Sequence, residues 1–122
     1  LGEFLALAVS LEKAGATDLA NALDAATGTL LENGKSPSRR VGELDNRGSH
    51  FYLALYWAQE LAGDGYGTLA ERLAADEEQI VAELNGVQGE SVDLGGYYFV
   101  DRDKATEVMR PSRTFNDAIG SL

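Results

Sequence analysis

The sequence contains no cysteine, which excludes disulfide bonds, thiolate zinc sites and cysteine nucleophiles. It contains one histidine, His50, which excludes a metal site built from several histidines. Basic residues number 10 against 20 acidic ones, and general nucleic-acid binding needs the opposite balance to neutralise phosphates. No apolar run approaches the roughly 20 residues of a membrane-spanning helix. We therefore expect neither nucleic acid nor a membrane among its partners.

The composition is that of a globular domain. The chain has 122 residues, of which 44% are hydrophobic and 25% charged, and this length suits one hydrophobic core. We therefore treat residues 1–122 as a single segment. Its first twelve residues are amphipathic and acidic, which predicts no secretory signal. The chain begins with Leu instead of Met, which indicates a piece of a longer polypeptide.

Positive charge is concentrated in residues 35–47, whereas the rest of the chain is strongly acidic. Such a cluster is a candidate anion site. The alternative is that its arginines pair with acidic helices of the same domain, and the spacing leaves both interpretations open. The window holds four basic residues and two acidic ones: Lys35, Arg39, Arg40, Arg47, Glu43 and Asp45.

Apolar residues recur every three or four positions in the first third of the chain, which predicts two helices. Gly15 ends the first helix, and Thr17 is the expected N-cap of the second. Asn33-Gly34 marks the end of the second helix. The two helices are expected to form an antiparallel hairpin. The buried stripe of the second helix is expected to contain Leu19, Leu23, Ala26 and Leu30.

Residues 35–50 predict an irregular loop, because Pro37, Gly42 and Gly48 interrupt helices. A third helix is expected from near Ser49 to about Leu61. It is apolar almost all round, which predicts burial at the centre of the fold. In so short a chain, this pattern hints at missing neighbours or at a partner surface.

The second half of the chain predicts a long helix that begins with a capping box of Thr68 and Glu71 and allows a break at Asp76. Residues 90–100 are expected to be extended, as a short strand or an ordered loop. One or two helical turns follow, and Ser112 is expected to cap a last helix. The fold class is therefore mainly α, with five or six helices packed as helical hairpins and at most one short strand. Four acidic side chains of the long helix are expected to face water: Asp76, Glu77, Glu78 and Glu83.

The segment Ser36–Arg40 carries the strongest candidate chemistry. Hydroxyl groups, backbone N–H groups and the guanidinium forks of Arg39 and Arg40 on one loop suit a phosphate. Basic loops with serine are nevertheless common, so a purely structural role remains the alternative.

Two further groups of residues are weaker candidates for a functional site. The segment 45–50 precedes a helix, whose free N–H groups attract anions, but capping explains the same residues. His50 can act as an acid or a base, yet its spacing fixes no partner, so a structural role is favoured. The carboxylates of residues 76–78 point in different directions on a helix and do not converge on Mg²⁺ or Ca²⁺.

The run Lys35–Gln59, with the motif Ser36-Pro-Ser-Arg-Arg and the sequence Gly-Glu-Leu-Asp-Asn-Arg-Gly-Ser-His, closely resembles the C-terminal part of the monomeric-type NADP-dependent isocitrate dehydrogenases. Residues 1–8, 80–84, 92–98 and 109–116 are similar to the same family, so the resemblance covers essentially the whole chain. Members of this family are several times longer. The resemblance implies part of the small α/β domain of a larger cytoplasmic enzyme.

The resemblance also implies a function. The family oxidises isocitrate with NADP and decarboxylates it to 2-oxoglutarate, using Mg²⁺ or Mn²⁺. Its catalytic groups and metal ligands lie upstream of Leu1, so no catalytic or metal-binding residue is assigned here, and the rest of the enzyme chain is the expected partner. Arg39 is implied to contact the adenosine 2′-phosphate of NADP, with Arg40 beside it where many members have lysine. The alternative is a stand-alone, non-catalytic helical module that binds a partner protein or a phosphorylated ligand.

Overall fold

The computed structural model describes residues 2–89 and 101–122, and every regular element within these ranges is helical. The predicted mainly α fold is thereby confirmed, with seven α-helices in the described ranges where five or six were expected. The predicted extended stretch of residues 90–100 lies outside them. The helices are α1 (Gly2–Lys13), α2 (Thr17–Glu32), α3 (Asn46–Glu60), α4 (Gly67–Ala75), α5 (Glu77–Asn85), α6 (Arg102–Met109) and α7 (Arg113–Gly120), with a 3₁₀ turn at Ala62–Asp64.

The extra helix arises at Asp76, where the expected long helix divides into α4 and α5. Asp76 ends α4 and precedes α5, whose first turn contains Glu77 and Glu78. Acidic residues favour the positive end of a helix, so three in succession favour a new start at this point. Both helices bury apolar side chains, with Leu73 of α4 and Ile80 of α5 fully buried.

The first four helices pack against one another in the order of the chain, and the last helix returns to cover α4 and α5. Helix α1 packs against α2, α2 against α3, and α3 against α4 and α5, while α7 covers α4 and α5. The predicted pairing of the first two helices is confirmed. Three of the four residues of the predicted α2 stripe are completely buried and Leu19 is partly buried; the buried three are Leu23, Ala26 and Leu30.

Helix α3 forms the centre of the core, as its apolar surface predicts. Phe51 is completely buried, and its ring meets the ring of Phe115 from α7 edge-on at 5.3 Å between centroids. Trp57 is partly exposed, and its indole N–H donates to the Leu19 carbonyl at 3.1 Å. Among the described residues, α2, α4 and α5 pack against α3 and bury most of its apolar surface.

The start of α3 lies three residues before the expected one. The Asp45 carboxylate accepts a hydrogen bond from the Gly48 N–H at 3.1 Å and caps a helix that begins at Asn46. Gly48 does not interrupt the helix as expected. A Cβ at Gly48 would collide with the Leu44 side chain, so glycine allows Leu44 to pack against the helix start.

Two predicted caps at other helices are wrong and one is confirmed. The residue that precedes α2 is Ala16, so Thr17 is already helical, and α4 begins at Gly67 without a side-chain cap from Thr68. Helix packing against the core fixes these starts in place of local capping. Ser112 does cap α7, since its hydroxyl accepts from the Phe115 N–H at 3.1 Å.

The expectation that four acidic side chains face water is wrong for two of them. Glu77 accepts a hydrogen bond from the Tyr52 hydroxyl at 2.8 Å. Glu83 accepts hydrogen bonds from Ser112 and Thr114. These carboxylates therefore connect α5 to α3 and to the start of α7.

No helix in the described part of the chain is a candidate for crossing a membrane. None of them combines the length and the apolar character that a transmembrane span requires.

Candidate cofactor-binding site

The loop of residues 33–45, called the arginine loop below, joins α2 to α3 and carries the predicted site. The Lys35 N–H donates to the Leu30 carbonyl at 2.9 Å, where the chain leaves α2. The Ser38 N–H donates to the Leu44 carbonyl at 2.6 Å, which closes the loop across its base. Leu44 packs against the hydrophobic core, so the base of the loop is attached to the folded body.

Ser38 is the centre of the hydrogen bonds inside the loop. Its hydroxyl donates to the Glu43 carboxylate at 3.0 Å and accepts from the Arg40 N–H at 3.2 Å. The Glu43 N–H in turn donates to the Arg40 carbonyl at 3.2 Å. The residues on either side of Arg39 are thus held by hydrogen bonds.

The side chains of Arg39 and Arg40 are both exposed. Arg40 lies 4.0 Å from the Glu43 carboxylate with 85% of its side chain exposed, a pair too exposed and too long to restrain it strongly. No hydrogen bond or ion pair joins the Arg39 side chain to any residue that the structure describes. Neither arginine pairs with an acidic helix in this part of the chain, so both guanidinium groups are available to an anion.

Gln88, which sequence reasoning did not single out, holds the tip of the arginine loop. Its side-chain oxygen accepts from the Gly42 N–H at 2.6 Å, and its side-chain nitrogen donates to the Glu43 carbonyl at 2.6 Å. The same nitrogen lies 3.0 Å from the Asn85 side-chain oxygen. No local pattern marks this residue, because its partners lie 45 and 46 positions away in the sequence.

Lys35, at the other end of the basic window, is engaged with the core. Its ammonium group lies 4.6 Å from the centre of the Tyr52 ring, a cation–π distance. Burial and the neighbouring Glu77 carboxylate raise the pKa of Tyr52 far above its ordinary value, so the phenol stays neutral and keeps donating to Glu77. Lys35 therefore has a partner in the core, whereas the two arginines of the loop are exposed.

Arg47 is also separate from the exposed pair. Its guanidinium makes two hydrogen bonds to one Asp45 oxygen, at 2.7 and 3.0 Å, and a third to the Val108 carbonyl at 2.8 Å. Only 16% of its side chain is exposed. Burial alone would raise the pKa of Asp45, but hydrogen bonds from Arg47 and Gly48 outweigh it and lower that pKa. Arg47 thus fastens the end of α6 to the start of α3.

His50 connects α3 to α1. One ring nitrogen lies 2.6 Å from the Asn46 carbonyl, and the other lies 3.2 Å from the Glu3 carboxylate. The ring also meets Phe4 edge-on, with 5.1 Å between centroids. These contacts match the structural role favoured for this histidine.

A cavity of about 690 Å³ lies between the start of α3 and helices α6 and α7. Arg47 and His50 contribute to its wall, whereas Arg39 and Arg40 do not. Within the described ranges no cluster of acidic residues and histidine is suited to a metal ion. The predicted site residues Arg39 and Arg40 thus lie on the exposed arginine loop, outside this cavity.

Comparison with known proteins identifies the class. The family model described as monomeric isocitrate dehydrogenase matches residues 1–120, and the chain belongs to this family. Among its relatives, the isocitrate dehydrogenase (NADP) 2 of Colwellia maris and that of Mycobacterium tuberculosis are each 54% identical to it. The isocitrate dehydrogenase (NADP) of Azotobacter vinelandii is 50% identical.

The comparisons also show how much of a relative the chain represents. Each of these matches includes the whole chain. The matched part makes up only 18% of the length of each relative. The alignments extend over 137 positions, more than the 122 residues of the chain, so the relatives contain additional residues within the matched stretch. The chain thus spans less than a fifth of the length of these relatives.

Proposed function

We propose that this chain is part of a cytoplasmic NADP-dependent isocitrate dehydrogenase and that its arginine loop binds the adenosine 2′-phosphate of NADP. The observation that carries the proposal is the exposed guanidinium of Arg39, which has no partner among the described residues and stands on a backbone held on both sides. The names and identity of the relatives support the same cofactor.

The chemistry of the loop suits this ligand. The 2′-phosphate is the group that distinguishes NADP from NAD, and a guanidinium binds a phosphate through two parallel hydrogen bonds while remaining charged. Arg40 adds a second positive charge next to it. Since the Glu43 carboxylate is close to Arg40, we expect Arg39 to contribute more to phosphate binding.

The complete protein would oxidise isocitrate, transfer a hydride to NADP and release carbon dioxide to form 2-oxoglutarate. Mg²⁺ or Mn²⁺ would polarise the substrate, and its ligands would lie elsewhere in the protein, since the described residues hold no cluster suited to a metal. The 122-residue chain by itself is expected to be inactive. Turnover of isocitrate by the isolated chain would contradict this division of roles.

The test of the cofactor role compares NADP with NAD in the complete polypeptide that carries this chain. Arg39→Ala is expected to raise the KM for NADP about 10- to 150-fold, since a hydrogen bond to a charged group contributes roughly 1.5–3 kcal/mol. The KM for NAD should stay nearly constant. Arg113→Ala, which removes an exposed arginine at the start of α7, is the matched control. An equal loss for both cofactors would mean that Arg39 does not bind the 2′-phosphate.

The proposal that the chain belongs to a longer enzyme has its own test. The mass of the native polypeptide that contains the Asp45–His50 peptide should be several times 13.0 kDa, as in the relatives. A native mass near 13 kDa would instead favour the stand-alone module.

A further inference from the structure

The backbone at the tip of the arginine loop is paired with a single side chain. Gln88 offers an acceptor to the Gly42 N–H and a donor to the Glu43 carbonyl, each at 2.6 Å. One amide thus forms two hydrogen bonds to consecutive residues, as a neighbouring peptide group would. This arrangement fixes both the position and the orientation of the loop tip.

Gln88 is itself held in place. Its side-chain nitrogen also lies within hydrogen-bonding distance of the Asn85 side chain, and its own N–H donates to the Asn85 carbonyl at 3.2 Å. Asn85 is the last residue of α5, and the adjacent Leu84 is only 2% exposed. The loop tip is therefore attached through Gln88 to a helix that is packed into the core.

The attachment continues from the loop tip to the exposed arginine. Glu43, whose carbonyl binds Gln88, accepts a hydrogen bond from Ser38 through its carboxylate and donates its N–H to the Arg40 carbonyl. Arg39 lies between these two partners of Glu43. A shift of Glu43 would therefore disturb hydrogen bonds on both sides of Arg39.

We propose that Gln88 is a positioning residue for NADP specificity, which acts by holding the Gly42–Glu43 backbone and, through it, the guanidinium of Arg39. This inference rests on the proposed function of the arginine loop. It adds a determinant outside the loop, on the segment that follows α5, that does not itself reach the phosphate. Loss of the amide would loosen the loop and leave the positive charges unchanged.

The test uses the complete polypeptide with Gln88→Leu, which keeps most of the side-chain volume and removes both hydrogen bonds. The KM for NADP is expected to rise about 3- to 10-fold, which corresponds to the net contribution of about one hydrogen bond. The kcat and the KM for isocitrate and for NAD should change little. Gln59→Leu, at an exposed glutamine near the end of α3, is the matched control and should change none of these constants.

The double variant Arg39→Ala with Gln88→Leu separates positioning from a general loss of structure. Because Gln88 acts through Arg39, the double variant should discriminate between NADP and NAD no worse than Arg39→Ala alone. Additive losses would overturn the proposal. Competition by adenosine 2′,5′-bisphosphate against 5′-AMP gives the same comparison without turnover.

A second variant covers the case in which Gln88→Leu fails to fold. Gln88→Met is unbranched and close in volume to glutamine, removes both hydrogen bonds and adds no charge, so the same NADP-selective loss is expected. If Arg39→Ala lowers NADP affinity selectively while both Gln88 variants leave it unchanged or weaken NADP and NAD equally, only the positioning role fails. If Arg39→Ala is not selective, the proposed function of the loop fails first.

Discussion

Glu83 of α5 and Thr114 of α7 are joined by two hydrogen bonds, one from the Thr114 N–H at 3.2 Å and one from its hydroxyl at 2.8 Å. The Ser112 hydroxyl donates to the same carboxylate at 2.7 Å. A single acidic side chain therefore satisfies the donors at the start of the last helix and fastens that helix to the core.

Removal of this carboxylate is expected to destabilise the protein at neutral pH. Glu83→Ala should lower the free energy of unfolding by about 1–3 kcal/mol, since hydrogen bonds to a charged acceptor are lost and donors are left unpaired. Denaturant unfolding followed by circular dichroism measures the change. Glu78→Ala, at an exposed glutamate of the same helix, should have a much smaller effect.

The same carboxylate predicts a pH dependence. Partial burial would raise the pKa of Glu83, but the hydrogen bonds from Ser112 and Thr114 outweigh it and hold that pKa below its ordinary value of 4.5. A lowered pKa in the folded state stabilises the fold above pH 4.5, and this contribution is lost as the pH falls through the folded-state pKa. Glu83→Gln should therefore reduce the loss of stability between neutral pH and acid. An unchanged pH profile would contradict this role.

Arg47 is predicted to contribute to stability and not to cofactor selectivity. Arg47→Met keeps much of the side-chain bulk but leaves one oxygen of the Asp45 carboxylate and the Val108 carbonyl without a donor, which should cost about 2–3 kcal/mol. Thermal unfolding measures the loss, and Arg102→Met at an exposed arginine of α6 is the control. A selective rise in the KM for NADP, without loss of stability, would place Arg47 in the cofactor site instead.

Removal of the Ser49 hydroxyl, unlike the substitutions above, is predicted not to destabilise the protein. Its hydroxyl is buried, with 1% of the residue exposed, and has no hydrogen-bond partner in the described ranges. Burial of an unpaired hydroxyl costs free energy, so Ser49→Ala should leave stability unchanged or raise it by about 1 kcal/mol. Ser112→Ala, which removes a cap and a bond to Glu83, should lower it. A clear loss in Ser49→Ala would reveal a partner for the hydroxyl.

Gly42 is predicted to be sensitive to substitution because of its backbone conformation and not because of a steric clash. Its φ of +89° lies in the left-handed region, yet a Cβ would meet nothing within 4 Å. Gly42→Ala should therefore cost about 1 kcal/mol through backbone strain and should disturb the hydrogen bond to Gln88. Gly63→Ala is the control, because that glycine has neither a positive φ nor a close neighbour. Equal unfolding midpoints for the two variants would contradict the argument.

Local patterns in the sequence predict most of the helices, because these helices bury apolar side chains. The periodic leucines of α2 and the Asn33-Gly34 stop are examples, and helix α3 is central as its composition indicates. Helix α6 buries no apolar side chain, and the sequence indicates it only as one or two helical turns. The boundaries were less predictable. Gly48 suggested an interruption, but the close approach of Leu44 and the Asp45 cap make it part of α3.

The candidate site was predictable only in part. Charge concentration and the serine-arginine motif identified the exposed loop, since those features are local in the sequence. The contacts that shape it are not local: Gln88 reaches Gly42 across 46 positions, and Arg47 reaches Val108 across 61. Such partners become evident only when the packing of the helices is known.

The placement of Arg39 has a thermodynamic consequence. Binding of a ligand costs entropy for every group that becomes ordered, and a loose loop would contribute its backbone to that cost. Here Ser38 and Glu43 already restrict the backbone, so a phosphate that reaches the loop orders little more than the rotamers of one or two arginine side chains. In the proposed phosphate complex, the hydrogen-bonded backbone would therefore lose less entropy on binding than the backbone of a loose loop.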